Sequence, residues 1–191
     1  ANPIHSDQED TMDTRNFAEA SEFLRNNLRL RTAPVAVRFL KDRKDVPEKT
    51  RRPAQAMGKR VAVCQAVTMA RLYGWTVGLA KEDMACVPAA IAFGMSDAED
   101  SAAALGRLFC GGSYSASEDV GRAEAETIHR LGKNEYEAIV LVPLARAAFE
   151  PDTIAVYGNP AQLMRLVHAW TYRTGRRVPG NFGGKVECTE Y

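Results

Sequence analysis

The chain has 191 residues, 46% of them apolar and 26% charged, with 25 basic against 24 acidic side chains and a net charge of +1. That length suits one globular domain with a real core, and the even charge leaves no overall field to recruit nucleic acid or an anionic membrane. No apolar run approaches the ~20 residues of a membrane-spanning helix, and residues 1–10 lack the basic patch and apolar centre of a secretory signal; a cytoplasmic protein is expected.

Residues 1–12 are polar and expected to fray, leaving one domain over 13–191. Asp13 and Thr14 can cap a helix carrying Phe17, Phe23, Leu24 and Leu28. After Thr32-Ala-Pro34 comes a strand, Val35–Leu40, and then a basic segment from Lys41 to Arg60 with two prolines and a glycine. It reads as a surface loop, either a solvated linker or a binding edge for a phosphate or carboxylate. Val61 to Tyr73 is helical, with Cys64 in its first turns and Gly74 to stop it. Thr76–Ala80 is a short strand, and Pro88 opens a helix with Cys86 just ahead of it, where backbone N–H groups favour a thiolate.

Asp97–Phe109 is a helix rich in small residues that runs into the turn Cys110-Gly111-Gly112, and Ser117 caps a helix reaching Leu131. The densest local signals lie between Tyr136 and Gly175. Two β-branched runs, Glu137–Val142 and Thr153–Tyr157, read as strands; Asn159 and Pro160 then open a helix in which Leu163, Leu166, Val167 and Trp170 recur at helical spacing, and Gly175 ends it. A buried face is expected on that helix. Lys185–Thr189, carrying Cys188, is a last strand. About five strands and five or six helices without strict β-α-β alternation predict an α+β or mixed α/β fold, a mixed sheet covered by helices.

Cys64, Cys86, Cys110 and Cys188 are widely separated, with no C-x-x-C pair. In a reducing compartment they are thiols or metal ligands rather than disulfides. Four thiolates are the usual shell of an iron–sulfur cluster or structural zinc. Structural zinc usually takes closely spaced pairs, so ligands drawn from distant loops point to a cluster inside a folded domain. Buried thiols packing as small apolar residues, and redox-active pairing, are the alternatives. His5 lies in the frayed start, and His129 and His168 read as helical surface residues. Gly111-Gly112 and the glycines from Gly180 to Gly184 match neither a dinucleotide fingerprint nor a P-loop, and there is no Gly-x-Ser-x-Gly elbow. Trp170, Tyr172, Tyr157 and Phe149 are expected in the core or around a planar ligand, with Gln162, Arg165 and Arg173 as polar neighbours.

The order Pro34-Val-Ala-Val, Cys64-Gln65 with Ala70-Arg71, Cys86 before Gly94, Pro143-Leu144, Pro151-Asp152, Asn159-Pro-Ala-Gln162 with Leu166, Tyr172 with Gly175, and Glu187-Cys188 resembles the domain-of-unknown-function family 169 over nearly the whole chain. The resemblance implies no assigned reaction. It implies that Cys64, Cys86 and Cys188 are the family's cysteines, whereas Cys110 matches none clearly, and that a further glycine- and cysteine-containing segment follows Cys188 in family members. Two functions are therefore expected to compete. One is a cytosolic protein binding an iron–sulfur cluster, or less readily zinc, for electron transfer or redox sensing with a protein partner. The other is a metal-free small-molecule-binding module, or a non-catalytic partner subunit. Neither fixes an enzymatic reaction.

Overall fold

The computed structural model describes residues 16–180. Within them, helices α1 (Phe17–Leu28), α2 (Pro53–Met57), α3 (Val63–Tyr73), α4 (Val87–Ala92), α5 (Ser101–Gly111), α6 (Glu118–Glu126) and α7 (Pro160–Thr174) surround strands β1 (Val35–Leu40), β2 (Val77–Ala80), β3 (Ala138–Pro143) and β4 (Thr153–Ala155). The strands lie in the order β2-β3-β1-β4 and all pair antiparallel. The expected mixed sheet is thus corrected: among the described residues the strands pair antiparallel, and parallel pairing there is confined to isolated bridges, Arg51 to Val77 and Val61 to Met84. Four strand candidates are present among the described residues, and the fifth, 185–189, lies outside them.

The register explains the burial. Val37, Leu141 and Val77 are directly opposite one another across three strands, and Phe39, Ile139 and Leu79 form the next row. Because successive side chains alternate faces, these rows build one face, and with Val63, Ala66, Val67 and Ala70 of α3 and Ala89 and Ala92 of α4 they make the main core. The opposite face presents Ala36 and Val142, which with Leu144 pack against Phe17 and Leu24 of α1. Every residue of β3 is buried, as expected of a strand covered on both sides.

A second, smaller core joins α4 to the α5–α6 pair through Ile91, Leu105, Phe109 and Ala125. Here the helices approach through glycine: a Cβ on Gly106 would lie 2.8 Å from the Glu118 carbonyl oxygen, and one on Gly121 would lie 2.8 Å from that of Gly106. Between α4 and α5 the chain turns at Gly94, whose φ of +68° and whose approach to Gly132, 2.2 Å from a hypothetical Cβ, admit only glycine.

Several boundaries move. The 41–60 segment is not plain loop: it holds a 3-10 turn at Arg43–Asp45 and α2, and Arg51 runs beside β2 with hydrogen bonds from its N–H to Thr76 O and from Gly78 N–H to its own carbonyl. Asn16 caps α1 by accepting from Glu19 N–H, whereas Asp13 and Thr14 lie outside the described residues. Asp100 caps α5, which runs on through Cys110, and α6 stops at Glu126 rather than Leu131.

The sharpest departure is α7. Its caps form as expected, with Asn159 Oδ1 accepting from Gln162 N–H, Gln162 Oε1 accepting from Asn159 N–H, and Gly175 left-handed at the end. Its face is not buried: Trp170 is 50% and Tyr172 95% exposed, and no residue of this helix is buried. The helix is tied down at one end, where Gln162 Nε2 donates to the carbonyls of Leu28 and Arg29 at 2.8 and 2.9 Å and so satisfies two acceptors at the end of α1.

Candidate functional site

Helix α3 starts with Gln65 reaching back to accept from Ala62 N–H, 2.8 Å, and ends at Gly74, whose φ of 70° is left-handed. Val63, Ala66, Val67 and Ala70 recur at helical spacing and are buried in the main core. Rotated to one side of that stripe, Cys64, Thr68 and Arg71 stand at i, i+4 and i+7 and are each half-buried. This flank is the candidate site.

Cys86 reaches the same neighbourhood from α4. Val61 N–H donates to Asp83 O at 2.9 Å and Ala85 N–H to Val61 O at 2.8 Å, so the two chain segments run side by side into α3 and α4. Cys64 follows that pair of hydrogen bonds by one helical turn, and Cys86 follows it directly as the N-cap of α4, with a proline in that helix's opening turn. The two cysteines lie more than twenty positions apart in sequence and begin from one bridge. Cys86 and Tyr157 both pack, half-buried, against the main core.

The other two candidates are placed differently. Cys110 is a half-buried free thiol in the last turn of α5, on the helix that builds the second core, where the backbone offers carbonyl acceptors rather than N–H donors. Cys188 lies outside the described residues. Among the described residues no three His, Cys, Asp or Glu side chains converge as ligands of one ion. His129 and His168 are exposed, and His5 lies outside the described residues.

The aromatic residues do not gather as expected. Phe149 packs with α1 on the far face of the sheet, Tyr157 packs on the main core, and Trp170 and Tyr172 are exposed on α7. Arg165 and Arg173 are exposed, while Gln162 is spent on the end of α1. An apolar groove of about 400 Å³ runs along α7 between Leu166, Val167, Trp170, Val178 and Pro179. The polar neighbour that sequence reasoning passed over is Arg71. Its guanidinium carbon stands 4.1 Å from the centre of the Tyr157 ring. Its signal in the sequence is a lone arginine two turns beyond Cys64 on the flank of an apolar stripe.

The basic segment is largely consumed by structure. Arg52 Nε donates to Asp83 Oδ2 at 2.7 Å and its Nη2 to Glu82 Oε1 at 2.7 Å. Burial works against the Arg52 charge, but the hydrogen bonds it donates to both carboxylates prevail and hold it above its ordinary value. Glu82 sits below the usual carboxylate range, chiefly through its own backbone N–H and then through Arg52. Arg51 stacks 3.9 Å over Trp75 beside a crevice of about 190 Å³ lined by Pro53, Met57 and Met69.

The sequence model of domain-of-unknown-function family 169, described as uncharacterised ArCR, matches residues 23–191. The chain is also similar to an uncharacterised protein of Methanocaldococcus jannaschii, 26% identical over 173 residues, covering 91% of this chain and 72% of that one. No solved structure matches. Among the described residues no helix is long and apolar enough to cross a membrane.

Proposed function

The chain belongs to domain-of-unknown-function family 169, and from its own residues we propose that it is a thiolate protein: Cys64, Cys86 and Cys188 ligate an iron–sulfur cluster or another soft metal centre, with Cys110 as the fourth candidate, for electron transfer or redox sensing in the cytoplasm. The observation that carries this reading is the Val61–Met84 bridge, which starts α3 and α4 side by side with a cysteine at the head of each. Thiolates select iron and zinc over hard ions. The backbone N–H groups at the start of α3 compensate the negative charge that a metal–thiolate unit carries. The bound group would supply one-electron chemistry; the chain supplies ligands, a dry wall formed by the main core, and a half-buried flank open to a redox protein partner.

Anaerobically prepared protein should absorb broadly near ~400 nm and contain iron with acid-labile sulfide. Cys64→Ser, Cys86→Ser and Cys188→Ser should each lower bound iron by about tenfold or more, at least the loss that follows from disturbing a ligand's outer-shell support. Cys110→Ser reports whether α5 supplies the fourth ligand. A colourless protein without iron or zinc, whose thiols all titrate on unfolding, sinks the proposal. The second reading, a metal-free module for a small molecule, is favoured by one observation, the stacking of Arg71 on Tyr157 on the same flank.

A further inference from the structure

Arg71 is a cation placed for a partner that the described residues do not supply. Its side chain is half-buried, its Nε–H is shut off from solvent without an acceptor, and it takes part in none of the ion pairs among the described residues. The treatment of Arg52 is the useful contrast. That guanidinium is also largely covered, and two carboxylates meet it, at 2.6 Å from Asp83 and 2.7 Å from Glu82. Arg71 is given an aromatic ring instead, 4.1 Å beneath its central carbon. A ring orients the guanidinium plane and screens one of its faces, but it accepts nothing from Nε–H and neutralises no charge.

We infer that Arg71, backed by Tyr157, is the binding site of a small oxyanion, a carboxylate or a phosphate group. The chemistry follows from the shape of the group. Nε–H and one Nη–H project side by side from the edge of the guanidinium, and two oxygens of a carboxylate or phosphate match that edge with parallel charge-assisted hydrogen bonds. The ligand would give Nε–H its acceptor and the half-buried charge its counter-ion. The support is rigid: Arg71 sits in the last turn of α3, its own carbonyl accepts from Ala33 N–H at 3.3 Å, and Gly74 ends the helix just beyond it. It stands seven helical positions beyond Cys64, about 10 Å of rise along the same flank. The site does not depend on the thiols holding a metal.

The test uses metal-free full-length protein, so that its outcome is separate from that of the cluster. Inorganic phosphate and succinate are titrated in turn at constant ionic strength made up with chloride, and the arginine Nε–H signals are followed by two-dimensional ¹H–¹⁵N NMR. The expected result is that one Nε–H signal, missing in Arg71→Lys, moves saturably with at least one of the two anions, and which anion acts identifies the class. Arg71→Lys keeps the charge but loses the paired donors, so saturation, followed by backbone signals near Ala33, should need at least tenfold more anion. Tyr157→Leu should weaken binding while leaving the rest of the spectrum in place. If no Nε–H signal of the wild type moves with either anion, the inference is overturned. It is equally overturned if the wild type and Arg71→Lys respond alike, for that is general screening. Should Arg71→Lys fail to fold, Arg71→Gln serves in its place: the responding Nε–H signal must be missing from its spectrum, and a signal that still moves there overturns the inference.

Discussion

Asp83 shows how this chain treats a buried charge. It is 0% exposed, and its two oxygens accept from Arg52 Nε at 2.7 Å, Ala54 N–H at 3.0 Å and Ala80 N–H at 3.0 Å. One carboxylate thereby ties the head of α2 to the end of β2, and Arg52, the residue just before α2, is its counter-ion. Asp83→Asn keeps the shape but exchanges an acceptor for a donor facing the guanidinium. Breaking one side of such a pair typically costs about 3–5 kcal/mol, most of it the uncompensated partner; urea unfolding of the variant should show a loss of that order. None of this was legible in the sequence, where Asp83 is one of three polar residues after a strand. The place of Cys86 was legible, because Pro88 marks the helix start within two positions, but that its helix and the helix of Cys64 start from one Val61–Met84 bridge depends on hydrogen bonds between segments remote along the chain.

Among the elements, caps were readable and coverings were not. Asn159, Pro160 and Gly175 act on their immediate neighbours, so the ends of α7 could be foreseen. An apolar period announces a face and says nothing about what lies against it, and α7 is accordingly exposed along its length. The α5–α6 pair is the opposite case: its contact is made by the absence of side chains. Gly106→Ala places a methyl group 2.8 Å from the Glu118 carbonyl oxygen, backbone that cannot swing away. The helices must separate and loosen Leu105 and Phe109. Overpacking of this kind costs about 1–3 kcal/mol, measurable as a lowered midpoint of denaturant unfolding, whereas Gly111→Ala, which meets nothing within 4 Å, should lose far less.

At the scale of the whole molecule, alternation of apolar residues identified the strands, yet not their neighbours. Pairing that joins β1 to β3 across a hundred residues carries no local signature, and this is why a mixed sheet was expected where an antiparallel one stands. Charge is also distributed as a whole-molecule property with a definite pH response. Asp97 is held below the ordinary carboxylate range by Lys81, Asp100 by the Ala103 N–H and then Arg122, and Glu82 by its own backbone N–H and then Arg52. Carboxylates with depressed folded-state values contribute stability that is complete above the ordinary range near pH 4 and is lost as pH falls through their lower folded values. The thermal midpoint should therefore hold level from pH 7 to about 5 and fall below about 4. A midpoint that rises on acidification would contradict these assignments.

The strand order has a kinetic meaning as well. β1 is made well before either of its neighbours, β3 and β4, which come from the last third of the described chain. Until residue 138 has emerged, the inner strand offers two unpaired edges and an apolar surface with nothing to close it. Such non-local pairing slows folding, since the entropy of closing a long loop must be overcome before any contact rewards it. The sheet on which the flank of α3 rests is thus completed late, and a nascent chain halted short of β3 would hold Cys64 and Cys86 with no scaffold to aim them.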